Sequence, residues 1–225
     1  MLQPRSGLIM SEGVFSMDGD QAPCQQLADL AKQSNNWLML DDAHGIGVLG
    51  EQGSGTLSQQ GVAPDSVHIR MATFGKALGV AGAFIGGSRQ LIDYLVNFAR
   101  DYVYSTHMPP AQAHAISAAV TWVKQADAER AHLQTLIQQF KAGIAELGLV
   151  AGESSTAIQP LIIGDADKAV AVANKLRERG LWITAIRPPT VPKGTARLRI
   201  TLTAAHQPSD ISLLLNELKE CVTDA

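Results

Sequence analysis

The sequence is poor in cysteine, in charge and in long apolar runs, and each shortage excludes a class of protein. Two cysteines in 225 residues are too few for a disulfide-stabilised scaffold and favour a reducing compartment. No run approaches the ~18 consecutive apolar residues that a membrane-spanning helix needs, and residues 1–5 show no signal-peptide pattern. A net charge of −3 provides no basic field for nucleic acid. We therefore expect a cytoplasmic protein without membrane or nucleic-acid partners.

Glycine is the residue in excess. Hydrophobic residues make up 46% and charged residues 17% of the sequence, which is ordinary for a globular protein of one or two domains. The 20 glycines among 225 residues are about 9% of the sequence, above the typical ~7%. Many of them fall between residues 45 and 87. Such a cluster predicts a backbone that bends sharply or approaches a ligand closely.

Strands and helices alternate along the chain, which predicts an α/β protein. Residues 37–40 form a continuous apolar run, typical of a strand buried on both faces in a parallel sheet. Further strands are predicted over residues 8–10, 67–73, 82–86, 158–163, 181–186 and 197–203. Helices are predicted over residues 23–32, 127–147, 165–180 and 208–222, with two more starting after Ser88 and at Pro109. Ser88 and Asp165 are predicted to cap their helices. The pattern indicates a larger α/β domain over residues 1–128 and a smaller α+β domain over residues 129–225.

Polar residues follow two of the predicted strands at the positions where ligands bind in open parallel sheets. The first group is Asp41-Asp42-Ala43-His44, which by itself fits a metal site, a helix-capping cluster or half of an acid–base pair. The second group ends at Lys76, in an apolar and glycine-rich stretch. This setting predicts partial desolvation of Lys76 and favours its use as a nucleophile over a role as a surface charge.

Several motifs, taken together, resemble the α-oxoamine synthase family of fold-type I pyridoxal-phosphate enzymes. They are EGVFSMDG at 12–19, DDAHGIG at 41–47, TFGKALG at 73–79 and YSTHMPP at 104–110. Segments at 157–162, 187–192 and 194–199 resemble the branch of that family that acts in biotin biosynthesis. The resemblance covers only the C-terminal part of a family chain, so the large domain is expected to be partial. It also predicts that this chain alone is weakly active or inactive.

The resemblance implies pyridoxal 5'-phosphate as the cofactor and assigns residues to it. Lys76 is expected to bond the cofactor covalently, and Asp41 to pair with its protonated pyridine nitrogen. His44 is expected to contact the phenolic oxygen, and Ser16 and Thr73 to donate or accept further hydrogen bonds. No metal site is predicted.

The resemblance also implies a homodimer and a carboxylate-binding arginine. Ser105 and Thr106 are expected to reach the phosphate of the partner subunit's cofactor. Arg199 is expected to bind the substrate carboxylate, and Thr190 to contact the acyl substrate. Arg197 and Arg199 share one face of a predicted strand, and spacing does not choose between them; only the resemblance favours Arg199.

The implied reaction is a decarboxylative condensation of L-alanine with a pimeloyl thioester, carried by coenzyme A or by acyl-carrier protein. The amine of Lys76 would take the alanine α-proton as general base. One alternative is a sister α-oxoamine synthase that uses glycine or serine, such as 2-amino-3-ketobutyrate ligase or 5-aminolevulinate synthase, against which the segment at 187–190 argues. The other alternative is a truncated module that binds cofactor or a partner without turnover.

Overall fold

A computed structural model describes residues 7–223, which divide into two compact units. Unit 1 contains the chain up to Val14 together with Gln21–Asp127, and unit 2 contains Phe15–Asp20 together with the chain from Ala128 onwards. The chain thus leaves unit 1 after Val14 and returns to it at Gln21. The domain boundary between residues 128 and 129 stays a prediction.

Unit 1 is built on a four-stranded sheet in the order β1-β2-β3-β4. Its strands are β1 (Leu8–Glu12), β2 (Trp37–Asp41), β3 (Ile69–Thr73) and β4 (Ala83–Gly87). Its helices are α1 (Cys24–Gln33), α2 (Thr56–Gln59), α3 (Arg89–Phe98), α4 (Arg100–Val103) and α5 (Pro110–Gln125), with 3₁₀ turns at Glu51–Gly53 and Pro64–Ser66. The predicted α/β class is confirmed.

The parallel arrangement predicted for the sheet is found in three of its four strands. Strands β1, β2 and β3 run parallel, whereas β4 runs antiparallel to β3. Residues 74–82 are too few for the helical crossover that a parallel connection requires, so β4 returns as a hairpin. The short helices α2 and α4 were not predicted, because segments of this length carry little periodicity.

Strand β2 is buried on one face rather than on both. Leu38 and Leu40 are almost fully buried, but Trp37 on the opposite face is 46% exposed. Its ring stacks on His68 with 5.7 Å between centroids. The prediction that both faces are buried is wrong for the described residues, since packing covers one face more completely than the other.

Unit 2 contains a three-stranded antiparallel sheet in the order β5-β7-β6. Its elements are α6 (Asp127–Glu146), β5 (Ile158–Gly164), α7 (Ala166–Glu178), β6 (Thr184–Ile186), β7 (Ala196–Thr201) and α8 (Pro208–Thr223). Its core includes the fully buried Phe140, Leu161, Leu198 and Leu218. Strand β6 begins later than predicted, because the amide of Leu181 closes the end of α7 on the carbonyl of Leu176 at 2.9 Å.

Neither cysteine is paired, and no membrane-spanning helix occurs among residues 7–223. Cys24 and Cys221 are both buried. Burial raises the pKa of the Cys24 thiol to about 11, so this thiol is protonated at neutral pH. The predicted lack of a signal-peptide pattern concerns residues 1–5, which lie outside the described residues.

Candidate active site

Two of the predicted cofactor residues end adjacent parallel strands. Asp41 is the last residue of β2, and Thr73 is the last residue of β3. Asp41 is in register with Met71, and side chains two residues apart on a strand share a face. Asp41 and Thr73 therefore lie on the same face of the sheet, at the edge where a ligand binds in such folds.

The hydroxyl of Thr73 is an unsatisfied buried polar group. Its Oγ1 is buried and has no hydrogen-bond partner among the described residues. A buried hydroxyl without a partner destabilises a protein by roughly 1–3 kcal/mol, and such atoms are rare in native structures. A ligand with a polar atom at this position would satisfy it.

Lys76 lies in the loop of residues 74–82 that joins β3 to β4. Backbone hydrogen bonds close this loop: Phe74 N donates to Gly82 O at 2.8 Å, and Val80 N donates to Phe74 O at 2.8 Å. The Lys76 side chain is exposed. The predicted desolvation of Lys76 is therefore wrong for the described residues, because the loop runs along the surface of unit 1.

The two neighbouring aspartates differ in environment. Asp41 is partly open, and its Oδ1 accepts a hydrogen bond from Ala43 N at 2.9 Å. Asp42 is 6% exposed and accepts hydrogen bonds from the amide and the hydroxyl of Thr56, at 2.8 and 2.5 Å. The bond to Thr56 was not predicted, since the two residues are 14 positions apart. The half-buried His44 follows in the same turn, and no cluster of three metal-ligating side chains occurs within residues 7–223.

Glycines make room for the carboxylate of Asp42. A Cβ atom added at Gly45 would lie 2.0 Å from Asp42 Oδ1, and one at Gly55 would lie 2.0 Å from Oδ2. A Cβ atom at Gly13 would lie 2.6 Å from Oδ1. Gly55 also has a φ of +99°, which side chains with a Cβ rarely adopt. Part of the glycine excess therefore serves the approach of backbone to a buried carboxylate of the protein itself.

Replacing Gly45 by alanine is expected to lower the free energy of unfolding by about 1–3 kcal/mol, as overpacking does in well-packed sites. The new methyl group would displace the Asp42 carboxylate. Urea unfolding of Gly45→Ala against the parent chain measures the loss. Gly86→Ala is the matched control, because its Cβ would meet only Arg70 O at 3.8 Å. Equal losses of unfolding free energy for the two variants would contradict the conclusion that the Asp42 carboxylate leaves no room for a side chain at Gly45.

The two candidate carboxylate-binding arginines are in different environments within unit 2. Arg197 is 6% exposed, and its Nη1 donates to the carboxylate of Asp18. Arg199 is half-buried, and its Nε donates to Ser16 O at 2.7 Å. Burial lowers the pKa of Arg199, and no carboxylate among the described residues pairs with it. Of the two arginines, Arg199 is thus the one without a carboxylate partner among the described residues.

A buried polar cluster holds the segment that carries Ser16. The carbonyl of Gly19 accepts hydrogen bonds from Ser154 Oγ at 3.1 Å and from Thr156 Oγ1 at 3.0 Å. A Cβ atom at Gly19 would lie 2.4 Å from Ile158 O, so only glycine fits. This anchor joins residues more than 130 positions apart, and no local sequence pattern indicates it.

The remaining predicted residues lie on exposed turns. Thr190 is exposed, and its amide donates to Arg187 O at 3.1 Å. Ser105 and Thr106 are exposed after α4. A cavity of about 430 Å³ in unit 1 is lined by Phe74 and Leu78 among others, but by none of the predicted cofactor residues.

The chain is similar to known proteins over nearly its whole length. The model of the aminotransferase class I and II family matches residues 2–218. The 8-amino-7-oxononanoate synthase of Aeromonas salmonicida (strain A449) is 64% identical over 220 residues, which are 98% of this chain and 55% of that protein. The chain therefore spans about half the length of the curated relatives it matches.

Solved structures are also similar to this chain in fold. The 8-amino-7-oxononanoate synthase of Francisella tularensis superposes with a TM-score of 0.84 at 28% identity, covering 100% of this chain and 65% of that one. A variant serine palmitoyltransferase from S. paucimobilis, with a bound PLP–myriocin aldimine, superposes with a TM-score of 0.92 at 26% identity. It covers 100% of this chain and 57% of that one.

Proposed function

The chain belongs to the aminotransferase class I and II family, and on this premise we propose that it acts in the decarboxylative condensation of L-alanine with a pimeloyl thioester. The product is 8-amino-7-oxononanoate, an intermediate of biotin biosynthesis, and the thioester is carried by coenzyme A or by acyl-carrier protein. The observation that carries the proposal is the 64% identity to a synthase of this name across nearly the whole chain. The membership agrees with the resemblance drawn from the sequence motifs.

The residues of unit 1 fit pyridoxal 5'-phosphate as the cofactor. When bound, this group supplies an electron sink that stabilises a carbanion beside the amino group of the substrate. Asp41, oriented by Ala43 N, would hold a proton at the pyridine nitrogen. Thr73 lies on the same face and has an unsatisfied hydroxyl that the cofactor would satisfy. His44 would contact the phenolic oxygen; the hydrogen bond predicted from Ser16 stays a prediction.

Lys76 provides the amine of the reaction. Its Nζ has no hydrogen-bond partner among the described residues, so it is available to bond the cofactor. The same nitrogen would move the α-proton of alanine as general base.

Arg199 would bind the alanine carboxylate through its planar guanidinium, which suits bidentate pairing. Asp18 already neutralises Arg197, whereas Arg199 lacks such a partner within the described part of unit 2. Thr190 would contact the acyl chain from its exposed turn. This contrast favours Arg199 on physical grounds where spacing alone favoured neither arginine.

The proposal includes a homodimer in the cytoplasm. Large aromatic side chains of α3 and the segment after it are exposed, which is typical of a surface that another chain covers. They are Tyr94, Phe98, Tyr102 and Tyr104. The adjacent Ser105 and Thr106 would then lie near the partner, as the dimeric site requires. The scarcity of cysteine favours the cytoplasm.

Thr73→Val is expected to weaken cofactor binding about fivefold while leaving the apo protein equally or more stable. Valine has the shape of threonine and removes the unsatisfied hydroxyl, so one hydrogen bond of about 1 kcal/mol to the cofactor is lost. A titration with pyridoxal phosphate followed by absorbance measures the dissociation constant, and thermal unfolding measures stability. An unchanged dissociation constant would contradict the role of Thr73.

The function is tested with the purified chain and pyridoxal phosphate. Alanine and pimeloyl-CoA should release carbon dioxide and yield a product of the expected mass, at the low rate expected of this chain alone, while glycine or serine should not replace alanine. Consumption of an acyl-CoA with glycine or serine, but not with alanine, would favour a sister synthase. The exposed Lys76 side chain favours a second candidate, a module that binds cofactor without turnover. A cofactor absorbance band with no release of carbon dioxide, even over a long incubation, would favour that second function.

A further inference from the structure

Asp42 is a buried acidic residue that the proposed reaction does not use. It directly follows Asp41, the last residue of β2. Burial raises the pKa of Asp42, while the two hydrogen bonds from Thr56 oppose that shift. Leaving a buried carboxylate without such donors is unfavourable by several kcal/mol, so the pairing with Thr56 is a strong local constraint.

The pairing closes the loop of residues 42–56 on itself. Asp42 binds Thr56 at the far end of the loop through its carboxylate. At the near end, its carbonyl accepts from Gly45 N at 3.0 Å and from Ile46 N at 2.9 Å. Its amide donates to Met71 O of β3 at 2.8 Å. A single residue thus ties both ends of the loop to the sheet.

The same loop orients the acidic group assigned to the cofactor. Ala43, which is 4% exposed, donates its amide to Asp41 Oδ1 at 2.9 Å. The direction of that amide depends on the turn that Asp42 holds. His44 is the next residue of the turn, so its ring is carried by the same backbone.

We propose that Asp42 is a positioning residue: by binding Thr56 it fixes the turn that orients the Asp41 carboxylate and the His44 ring for the cofactor. The inference rests on the proposed function, in which Asp41 and His44 contact pyridoxal phosphate. Asp42 itself need touch neither cofactor nor substrate.

The experiment compares Asp42→Asn and Thr56→Val with the conservative Thr56→Ser, all in the full chain. Asparagine keeps the shape of aspartate but loses one acceptor, and valine loses the hydroxyl. We expect both variants to weaken pyridoxal-phosphate binding about tenfold and to change the pH at which the absorbance of the bound cofactor shifts. Thr56→Ser retains both donors and should bind cofactor within about twofold of the parent chain.

Two further measurements separate positioning from stability. Leu38→Ala, a core variant of unit 1 with 1% exposure at the parent residue, provides a destabilised control. If Leu38→Ala weakens cofactor binding as much as Asp42→Asn at equal loss of thermal stability, positioning by Asp42 is overturned. The His44 ring signals in the proton NMR spectrum, recorded without cofactor, should shift in Thr56→Val and stay in place in Thr56→Ser; unshifted signals in Thr56→Val would also overturn it.

The outcomes also distinguish this inference from the proposed function. If the parent chain forms the cofactor band and the Asp42 and Thr56 variants bind as tightly as it does, only the positioning role fails. If the parent chain forms no band, the proposed function fails, and the NMR measurement alone decides whether Asp42 holds His44 in place.

Discussion

Lys76→Ala is expected to abolish the absorbance band of the covalently bound cofactor and to reduce turnover by at least about 100-fold, the lower end of the usual contribution of a general base. No other residue is assigned to bond the cofactor. The side chain is exposed and has no hydrogen-bond partner among the described residues. Its removal should therefore change the free energy of unfolding by less than about 0.5 kcal/mol, so the loss of the band would report chemistry rather than unfolding.

Lys32→Ala is the matched control for this experiment. Lys32 is an exposed lysine in the last turn of α1, also in unit 1. Both variants remove one surface amine, and only Lys76→Ala should lose the band, which is measured by absorbance after addition of pyridoxal phosphate. A band that survives Lys76→Ala, or that disappears equally in Lys32→Ala, would contradict the assignment of Lys76.

Arg199→Gln is expected to weaken the binding of alanine about 10- to 100-fold and to leave the cofactor band in place. Hydrogen bonds to a charged group contribute about 1.5–3 kcal/mol each, and every 1.4 kcal/mol is a factor of ten in affinity. Arg199 is partly desolvated and has no carboxylate partner in the described chain, so its charge is free to bind a substrate anion. Titrating the cofactor-loaded chain with alanine, followed by absorbance, measures the change.

Arg197→Gln is the paired variant and should behave differently. It would break the ion pair with Asp18, which ties β7 to the segment that carries Ser16. We expect a loss of about 1–3 kcal/mol in the free energy of unfolding with a smaller effect on alanine binding. If Arg197→Gln instead weakened alanine binding and Arg199→Gln did not, the carboxylate site would belong to Arg197.

Short stretches of sequence were sufficient to predict local features of the fold. Ser88 and Asp165 were predicted as helix caps, and each accepts a hydrogen bond from an amide three residues on: Ser88 Oγ from Leu91 N at 3.2 Å and Asp165 Oδ1 from Lys168 N at 2.8 Å. Capping depends on residues within one helical turn, so the sequence contains the needed information. The run at 37–40 likewise predicted a strand, because its apolar residues are contiguous.

Features that depend on distant residues were missed. The burial of Asp42 against Thr56, 14 positions away, follows from packing between separate segments. The direction of β4 and the short helix α2 were missed for local reasons, because the connection over residues 74–82 is short and a four-residue helix shows little periodicity. The desolvation of Lys76 was predicted wrongly for a related reason: an apolar local sequence does not determine whether other segments cover a given side chain, and Lys76 is exposed although Leu78 in the same loop is buried.

The sequence by itself determined the order of the chemical groups: Asp41 and His44 after one strand, Thr73 and Lys76 after the next, and two arginines on a later strand. Only the tertiary structure decided which of these residues share a face of the sheet, which are buried and which are paired with an opposite charge. It placed Asp41 and Thr73 on one face, buried Asp42 against Thr56, and paired Arg197 but not Arg199 with Asp18. The physical reason is that burial and charge pairing are set by contacts across 14 to 179 positions, which the local spacing of residues does not encode.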